Sequence, residues 1–252
     1  MKTAICAIIK NEQDYLDEWL DYHLNLGIDE IYLYEDYDSL SHSAITEKYG
    51  DRVHLNSIDV VFESVEKKIS EETIKKSSFF QEQLFSWFPI AYKNEFDWVL
   101  FIDIDEFLIL KQPLHKLLEE YDDKSAIYIK WIFYGASGHI KKPQGKVMDN
   151  YTVFVPTPFD YGVNFKSFVN LKNYTSWERP IHGVKGGVYP TTNGGVHKAL
   201  IKHYFTKSWE EWKFKLLSRG DTFPGHRKID DFFKINEDLL PLKDELIAEL
   251  EK

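Results

Sequence analysis

Short apolar runs alternate along this chain with stretches whose apolar residues recur at helical spacing, and that alternation confines it to one fold class. Residues 1–9 (Met1-Lys2-Thr3-Ala4-Ile5-Cys6-Ala7-Ile8-Ile9) read as a first strand. Residues 12–26 carry Tyr15, Leu16, Trp19, Leu20, His23 and Leu24 on one helical face, and Gly27 stops them. Strands are then expected over 28–34, 52–58, 99–102 and 126–134, and helices over 43–49, 79–93 and 114–121. Strands separated by helices predict an α/β domain with a Rossmann-like, mostly parallel sheet flanked by helices. Beyond Gly135 the glycines and prolines multiply, which predicts a loop-rich second half with short strands. Helical pattern returns at 208–219, where Ser208 and Glu211 form a capping box, and over 239–250. Neither a repeat nor a low-complexity linker divides the chain, so residues 1–252 are expected to fold as a single domain.

The strand at 99–102 runs directly into Asp103-Ile104-Asp105-Glu106. If the strand continues, its period of two puts Asp103 and Asp105 on one side and Glu106 on the other. Two carboxylates side by side repel unless a cation lies between them, and hard oxygen ligands suit Mn²⁺ or Mg²⁺. An acidic turn closing a core strand is the plainer reading. The apolar residues on both sides, Val99 to Ile102 and Phe107 to Leu110, hold these acids at a buried edge and favour the metal. A second acidic group, Glu35-Asp36-Tyr37-Asp38, follows the second strand. In a parallel sheet both groups reach the carboxyl rim, where ligands bind. There Asp36 is suited to accept hydrogen bonds from a base or ribose, or simply to stabilise a turn.

Near residue 203 a further polar group appears. His203 ends the run Ala199-Leu200-Ile201 and precedes the capped helix, where it either completes a metal site or bonds a loop carbonyl. Lys207, beside the helix N-terminus, is placed to hold an anionic phosphate. Gly-rich phosphate motifs are absent from the sequence, so a bound diphosphate would need the metal. A net charge of −10 argues against nucleic acid as a partner. Cys6 stands alone, which excludes an internal disulfide and fits a reducing, cytoplasmic setting. The apolar N-terminal stretch is too short and too soon charged for a signal peptide, and no stretch is long enough for a transmembrane segment.

Together these pieces resemble glycosyltransferase family 92 and its bacterial glycosyltransferase-2-like relatives. The likeness is carried by Lys10-Asn11-Glu12, by Glu18-Trp19-Leu20-Asp21-Tyr22-His23 with Gly27, and by Asp97-Trp98 through Asp103-Ile104-Asp105-Glu106-Phe107-Leu108. Trp131 with Gly135, His203-Tyr204, Lys207-Ser208, Lys215 and Arg219-Gly220 follow in the same order. The resemblance covers about residues 4–220 and implies a GT-A fold, a UDP-hexose donor such as UDP-galactose, Mn²⁺ or Mg²⁺, and inversion at the sugar. It implies a nucleotide-sugar half over 1–110, with Asn11, Glu12, Asp36, Asp103 and Lys207 at the donor and Asp103, Asp105 and His203 at the metal. An acceptor half over 111–225 and a helical tail over 226–252 follow. The expected acceptor is a saccharide or a lipid-linked saccharide of a surface polysaccharide or glycan, met in the cytoplasm or at the inner face of the membrane.

Inversion needs a base for the acceptor hydroxyl. Glu178, Asp160 and Asp221 are the candidates, with Glu178 slightly preferred although Arg179 beside it offers a plain ion pair. Lys166 and His182 are candidates to line the acceptor or phosphate side, and Trp131 or Trp177 to stack on a sugar. The amphipathic helix over 239–250 has an acidic polar face, the wrong sign for anionic lipid. Packing on the domain or on a second subunit, as a homodimer, is therefore expected over peripheral membrane contact. Two other classes stay open: a metal-dependent phosphohydrolase or nucleotidyltransferase, and a non-catalytic carbohydrate-binding relative.

Overall fold

A computed structural model describes residues 1–36, 39–61, 77–155, 164–179, 181–217 and 228–248. The strands that open the chain are β1 (Thr3–Ile9), β2 (Glu30–Glu35), β3 (Val53–Ser57) and β4 (Trp98–Phe101). They lie parallel in the order β3-β2-β1-β4. In β1, Ile5, Ala7 and Ile9 face one layer and Ala4 and Cys6 the other, and all five are buried. A strand apolar on both faces must be covered on both. One cover is α1 (Gln13–Leu26), whose Leu16, Trp19 and Leu20 join Ile5, Ala7, Ile31 and Leu33 in one core. It ends at Gly27, where φ is +108°, a backbone conformation that suits glycine. The segment after β2 forms α2 (Ser43–Thr46) followed by a 3-10 stretch (Glu47–Arg52), so the helix expected over 43–49 tightens halfway. On the opposite face α3 (Ser77–Ala91) packs Leu84, Phe85 and Phe88 on Ala4, Cys6, Tyr32, Tyr34 and Phe101.

Beyond β4 the sheet is mixed. β5 (Glu106–Leu110), α4 (Leu114–Glu119), β6 (Ala126–Tyr134), α5 (Val147–Asn150), β7 (Phe154–Val155), β8 (Phe165–Asn170), β9 (Trp177–Arg179), β10 (Gly183–Val184) and β11 (Ala199–His203) follow in the chain. From β4 the sheet continues β8-β6-β11-β5, with β7 paired to β6 and β9 and β10 in a separate ribbon. Among the described residues six of its nine strands run one way, and β5, β7 and β8 oppose them. All six residues of β8 are buried between β4 and β6. Nothing local in the sequence marks β8 as a central strand.

The far edge of the described sheet is β5, and α1 seals it with side chains. Trp19 Nε1 donates to the Glu106 carbonyl at 2.8 Å, and Tyr22 Oη to the Leu108 carbonyl at 2.7 Å. The Leu108 N–H donates to His23 Nε2 at 3.3 Å. An open edge would leave these groups bare, and here a helix supplies the partners of a missing strand.

The C-terminal part differs from expectation. The capped helix is present as α6 (Trp209–Leu217), and Ser208 Oγ donates to Glu211 at 2.6 Å. The single helix expected over 239–250 is instead a 3-10 stretch (Glu237–Leu242) and α8 (Lys243–Ala248), preceded by an unanticipated α7 (Ile229–Ile235). Pro241 supplies the reason, since it donates no N–H and crowds the preceding turn. Trp209, Trp212, Phe232, Phe233, Leu239 and Leu246 make a small core of their own.

Candidate functional site at the carboxyl rim

The carboxyl ends of parallel β1, β2 and β4 share one edge, and the acidic groups lie there. Beyond β1 and β2, Lys10 Nζ meets Asp36 Oδ2 at 3.2 Å. Asn11 adopts a left-handed conformation with φ +54°, which Asn tolerates better than most residues. Its Oδ1 accepts from the Leu40 N–H at 2.9 Å. The N–H of buried Glu12 donates to His42 Nε2 at 3.1 Å, and His42 Nδ1 lies 2.8 Å from Glu35 Oε1. Asn11, Glu12 and Asp36 thus hold the two rim loops together.

At the end of β4 the structure corrects the strand reading. The strand stops at Phe101, and residues 102–105 turn back, with the Glu106 N–H donating to the Asp103 carbonyl at 3.1 Å. The two aspartates stand in a turn and meet different lysines. Asp103 Oδ2 pairs with Lys166 Nζ at 2.6 Å, and its Oδ1 accepts from Gln81 Nε2 at 2.9 Å. Asp105 Oδ2 pairs with Lys215 Nζ at 3.2 Å, and its Oδ1 lies 3.5 Å from His203 Nε2. Glu106 does not point to an opposite face. The tight turn brings it back under Asp103, where its Oε2 accepts the Asp103 N–H at 3.0 Å, fully buried and 3.8 Å from Lys166 Nζ.

The electrostatics follow from that packing. Burial works to raise the pKa of Asp103, yet Lys166 outweighs it and holds the carboxyl below its ordinary range. Burial opposes ionisation of Asp105 as well, but Lys215, His203 and Lys207 bring it well below that range. Glu106 goes the other way: burial pushes it well above, against the pull of Lys166. Lys166 is itself raised, because Asp103 and Glu106 overcome the desolvation that would lower it.

Other candidates take their places around this cluster. Lys207, buried and in a left-handed conformation with φ +54°, lays its ammonium 4.4 Å from the Tyr15 ring centroid. Behind it Glu211 accepts from Tyr15 Oη at 2.7 Å, from Ser208 and from Tyr151. Trp131 borders the site, 5.0 Å from the His203 ring and 5.6 Å from Lys166 Nζ. His182 Nδ1 lies 3.0 Å from the Phe165 carbonyl, and burial lowers its pKa to about 4. Trp177 packs on the helix α3: its indole N–H donates to the Phe85 carbonyl at 2.8 Å and its ring stacks on Phe85. Glu178 is exposed on β9, where its charge adds to the burial that raises the Tyr128 hydroxyl. Asp160 and Asp221 lie outside the described residues. Sequence reasoning missed Gln81, which shares its helix with adjacent Glu82 and Gln83 and carries no local mark of its role.

The donor set can be tested against a divalent ion. Two ligand atoms each about 2.1 Å from one ion, at right angles, lie roughly 3 Å apart, close to the 3.5 Å between Asp105 Oδ1 and His203 Nε2. Among the described residues no three acidic, histidine or cysteine side chains converge as a complete cage. By its spacing and chemistry the Asp105–His203 pair fits two positions of a divalent ion.

The sequence model of glycosyltransferase family 92 matches residues 3–239. A family 92 protein of Oryza sativa subsp. japonica is 28% identical over 225 residues, 87% of this chain and 36% of that protein. One from Arabidopsis thaliana is 25% identical over 245 residues, 87% of this chain and 38% of that protein. The chain therefore spans under two fifths of the length of these curated relatives. Among solved structures, glucosyl-3-phosphoglycerate synthase from Mycobacterium tuberculosis, crystallised with Mn²⁺, UDP and glucosyl-3-phosphoglycerate, aligns with a TM-score of 0.33. It shares 17% identity and covers 54% of this chain and 45% of its own. Core-mannan synthase A from Aspergillus fumigatus, in its Mn/GDP form, aligns with a TM-score of 0.37 at 10% identity, over 68% of this chain and 60% of its own. Among the described residues no helix is long and apolar enough to cross a membrane.

Proposed function

We propose that this chain, which belongs to glycosyltransferase family 92, transfers a hexose from a UDP-sugar to a saccharide acceptor with inversion at the anomeric carbon. The observation that carries this reading is the convergence of acids and lysines at the rim. Asp103, Asp105 and Glu106 face Lys166, Lys215 and Lys207 around the His203 ring. A nucleotide diphosphate brings negative charge to such a site, and the lysines already present are positioned to receive it. Asp105 and His203 would hold the ion, Mn²⁺ or Mg²⁺, with Asp103 reaching it or the ribose. When bound, that ion offsets the charge that develops on the departing diphosphate.

Lys207, at the entrance of α6, takes the phosphate side. Asn11, Glu12 and Asp36 shape the pocket for base and ribose, and Trp131 supplies the apolar face on which a sugar ring stacks. The acceptor hydroxyl gives its proton to a carboxylate among Glu178, Asp160 and Asp221, with Glu178 preferred. UDP-galactose is the favoured donor, with UDP-glucose and a UDP-N-acetylhexosamine close behind, and the acceptor is a saccharide or lipid-linked saccharide met in the cytoplasm or at the inner face of the membrane.

Thermal unfolding in the presence of UDP- and GDP-sugars tests the reading. At a hundredfold excess over Kd a ligand stabilises by about 3 kcal/mol. A UDP-sugar should stabilise with Mn²⁺, lose that effect in EDTA, and lose it in Asp105→Asn. Equal stabilisation with and without metal would refute the proposed site. Metal-dependent cleavage of the donor with no gain from any acceptor would favour a phosphohydrolase.

A further inference from the structure

Two buried polar atoms at this site lack hydrogen-bond partners among the described residues, and they face each other. They are Glu106 Oε1 and His203 Nδ1, 3.9 Å apart. Their residues are directly paired across antiparallel β5 and β11, so the backbone itself sets the two side chains in register. The His203 ring is confined by Trp131, Phe133 and Phe205, with centroids 5.0, 5.1 and 5.4 Å away. The opposite ring nitrogen, Nε2, is the one beside Asp105. A carboxyl behind one nitrogen and a candidate ligand position in front of the other form a line from Glu106 through His203 to the metal site.

We propose that Glu106 is a positioning residue that fixes the tautomer and tilt of His203, so that Nε2 presents its lone pair to the divalent ion. This rests on the metal reading proposed above. A neutral imidazole has one N–H and one lone pair, and a hydrogen bond at the far nitrogen decides which is which. Closing the 3.9 Å gap by about 1 Å lets Nδ1–H donate to Glu106 Oε1 and leaves Nε2 free to ligate. The other oxygen, Oε2, is already committed to the Asp103 N–H and lies near Lys166. Glu106 therefore ties the acid turn and the histidine into one unit.

Glu106→Gln is a discriminating variant because the surroundings choose its orientation. The Asp103 N–H and Lys166 demand an acceptor, so the amide oxygen takes that side and the NH₂ faces His203 Nδ1. The imidazole is then driven to the Nε2–H form, which cannot ligate. Mn²⁺ titration in the presence of UDP, read by electron paramagnetic resonance, should show affinity weakened about 10- to 100-fold with the fold retained by circular dichroism. In a His203→Ala background the same change should have no further effect. Unchanged Mn²⁺ affinity in Glu106→Gln, or an equal loss in both backgrounds, overturns the assignment while leaving the metal site standing. Wild-type protein that takes up no Mn²⁺ with UDP overturns both. Should Glu106→Gln not fold, ¹⁵N spectra of histidine-labelled wild type with Mg²⁺ and UDP decide. They should show His203 protonated at Nδ1, and an Nε2–H signal would refute the proposal.

Discussion

Acid will weaken this fold through His23, a residue outside the acid–lysine cluster of the rim. Its ring is fully buried against Phe107 and Trp19. Because the Leu108 N–H donates to Nε2 at 3.3 Å, the ring hydrogen sits on Nδ1 and donates to the Trp19 carbonyl at 2.8 Å. Burial lowers its pKa from 6.5 to about 3. A neutral imidazole in the folded chain faces one that takes a proton in the unfolded chain. Its contribution is therefore complete above the unfolded pKa of 6.5 and falls away as pH drops from there toward 3. Each pH unit in that window costs about 1.4 kcal/mol, so roughly 2 kcal/mol is lost by about pH 5. Urea unfolding of wild type and His23→Phe at about pH 7.5 and pH 5 measures it. The variant should be weaker at the higher pH by about 1–3 kcal/mol, because the Leu108 N–H is left unpaired. It should also lose roughly 2 kcal/mol less than wild type on acidification. His182, lowered to about 4, titrates in both proteins and cancels in the difference. Equal acid sensitivity in the two proteins would refute the reasoning.

Glu211→Ala removes the cap of α6 and leaves the Tyr15 and Tyr151 hydroxyls without their acceptor. Chemical unfolding should report a loss of about 2–4 kcal/mol, and calorimetry a weaker affinity for UDP because Lys207 is no longer braced. Lys166→Met strands Asp103, but that carboxylate is more than one-third exposed. Solvent should hold the destabilisation to about 1–2 kcal/mol in urea titrations. Trp19→Phe takes away the indole donor to the Glu106 carbonyl. Hydrogen exchange at β5 should quicken with a stability loss of about 1–2 kcal/mol. Trp131→Ala should raise the acceptor KM severalfold while UDP affinity measured by calorimetry stays near wild type.

Much of this protein is legible in its sequence because local patterns are single-valued. The period of α1 and its glycine stop, the capping box at Ser208 and Glu211, and the apolar run of β6 depend only on neighbours a few residues away. The rim position of the acids after β4 is legible too, since an apolar strand followed by charge must surface at a sheet edge. Tertiary structure decided the rest. Lys166 reaches Asp103 from 63 residues away, Lys215 reaches Asp105 from 110, and Trp19 meets the Glu106 carbonyl from 87. Glu106 faces inward only because a turn replaces the strand's alternation, and Trp177 is half-buried only because α3 lies over it. Spacing along a chain encodes secondary structure, whereas the partners of a buried charge depend on strand order, and β8 enters between β4 and β6 without any local signal.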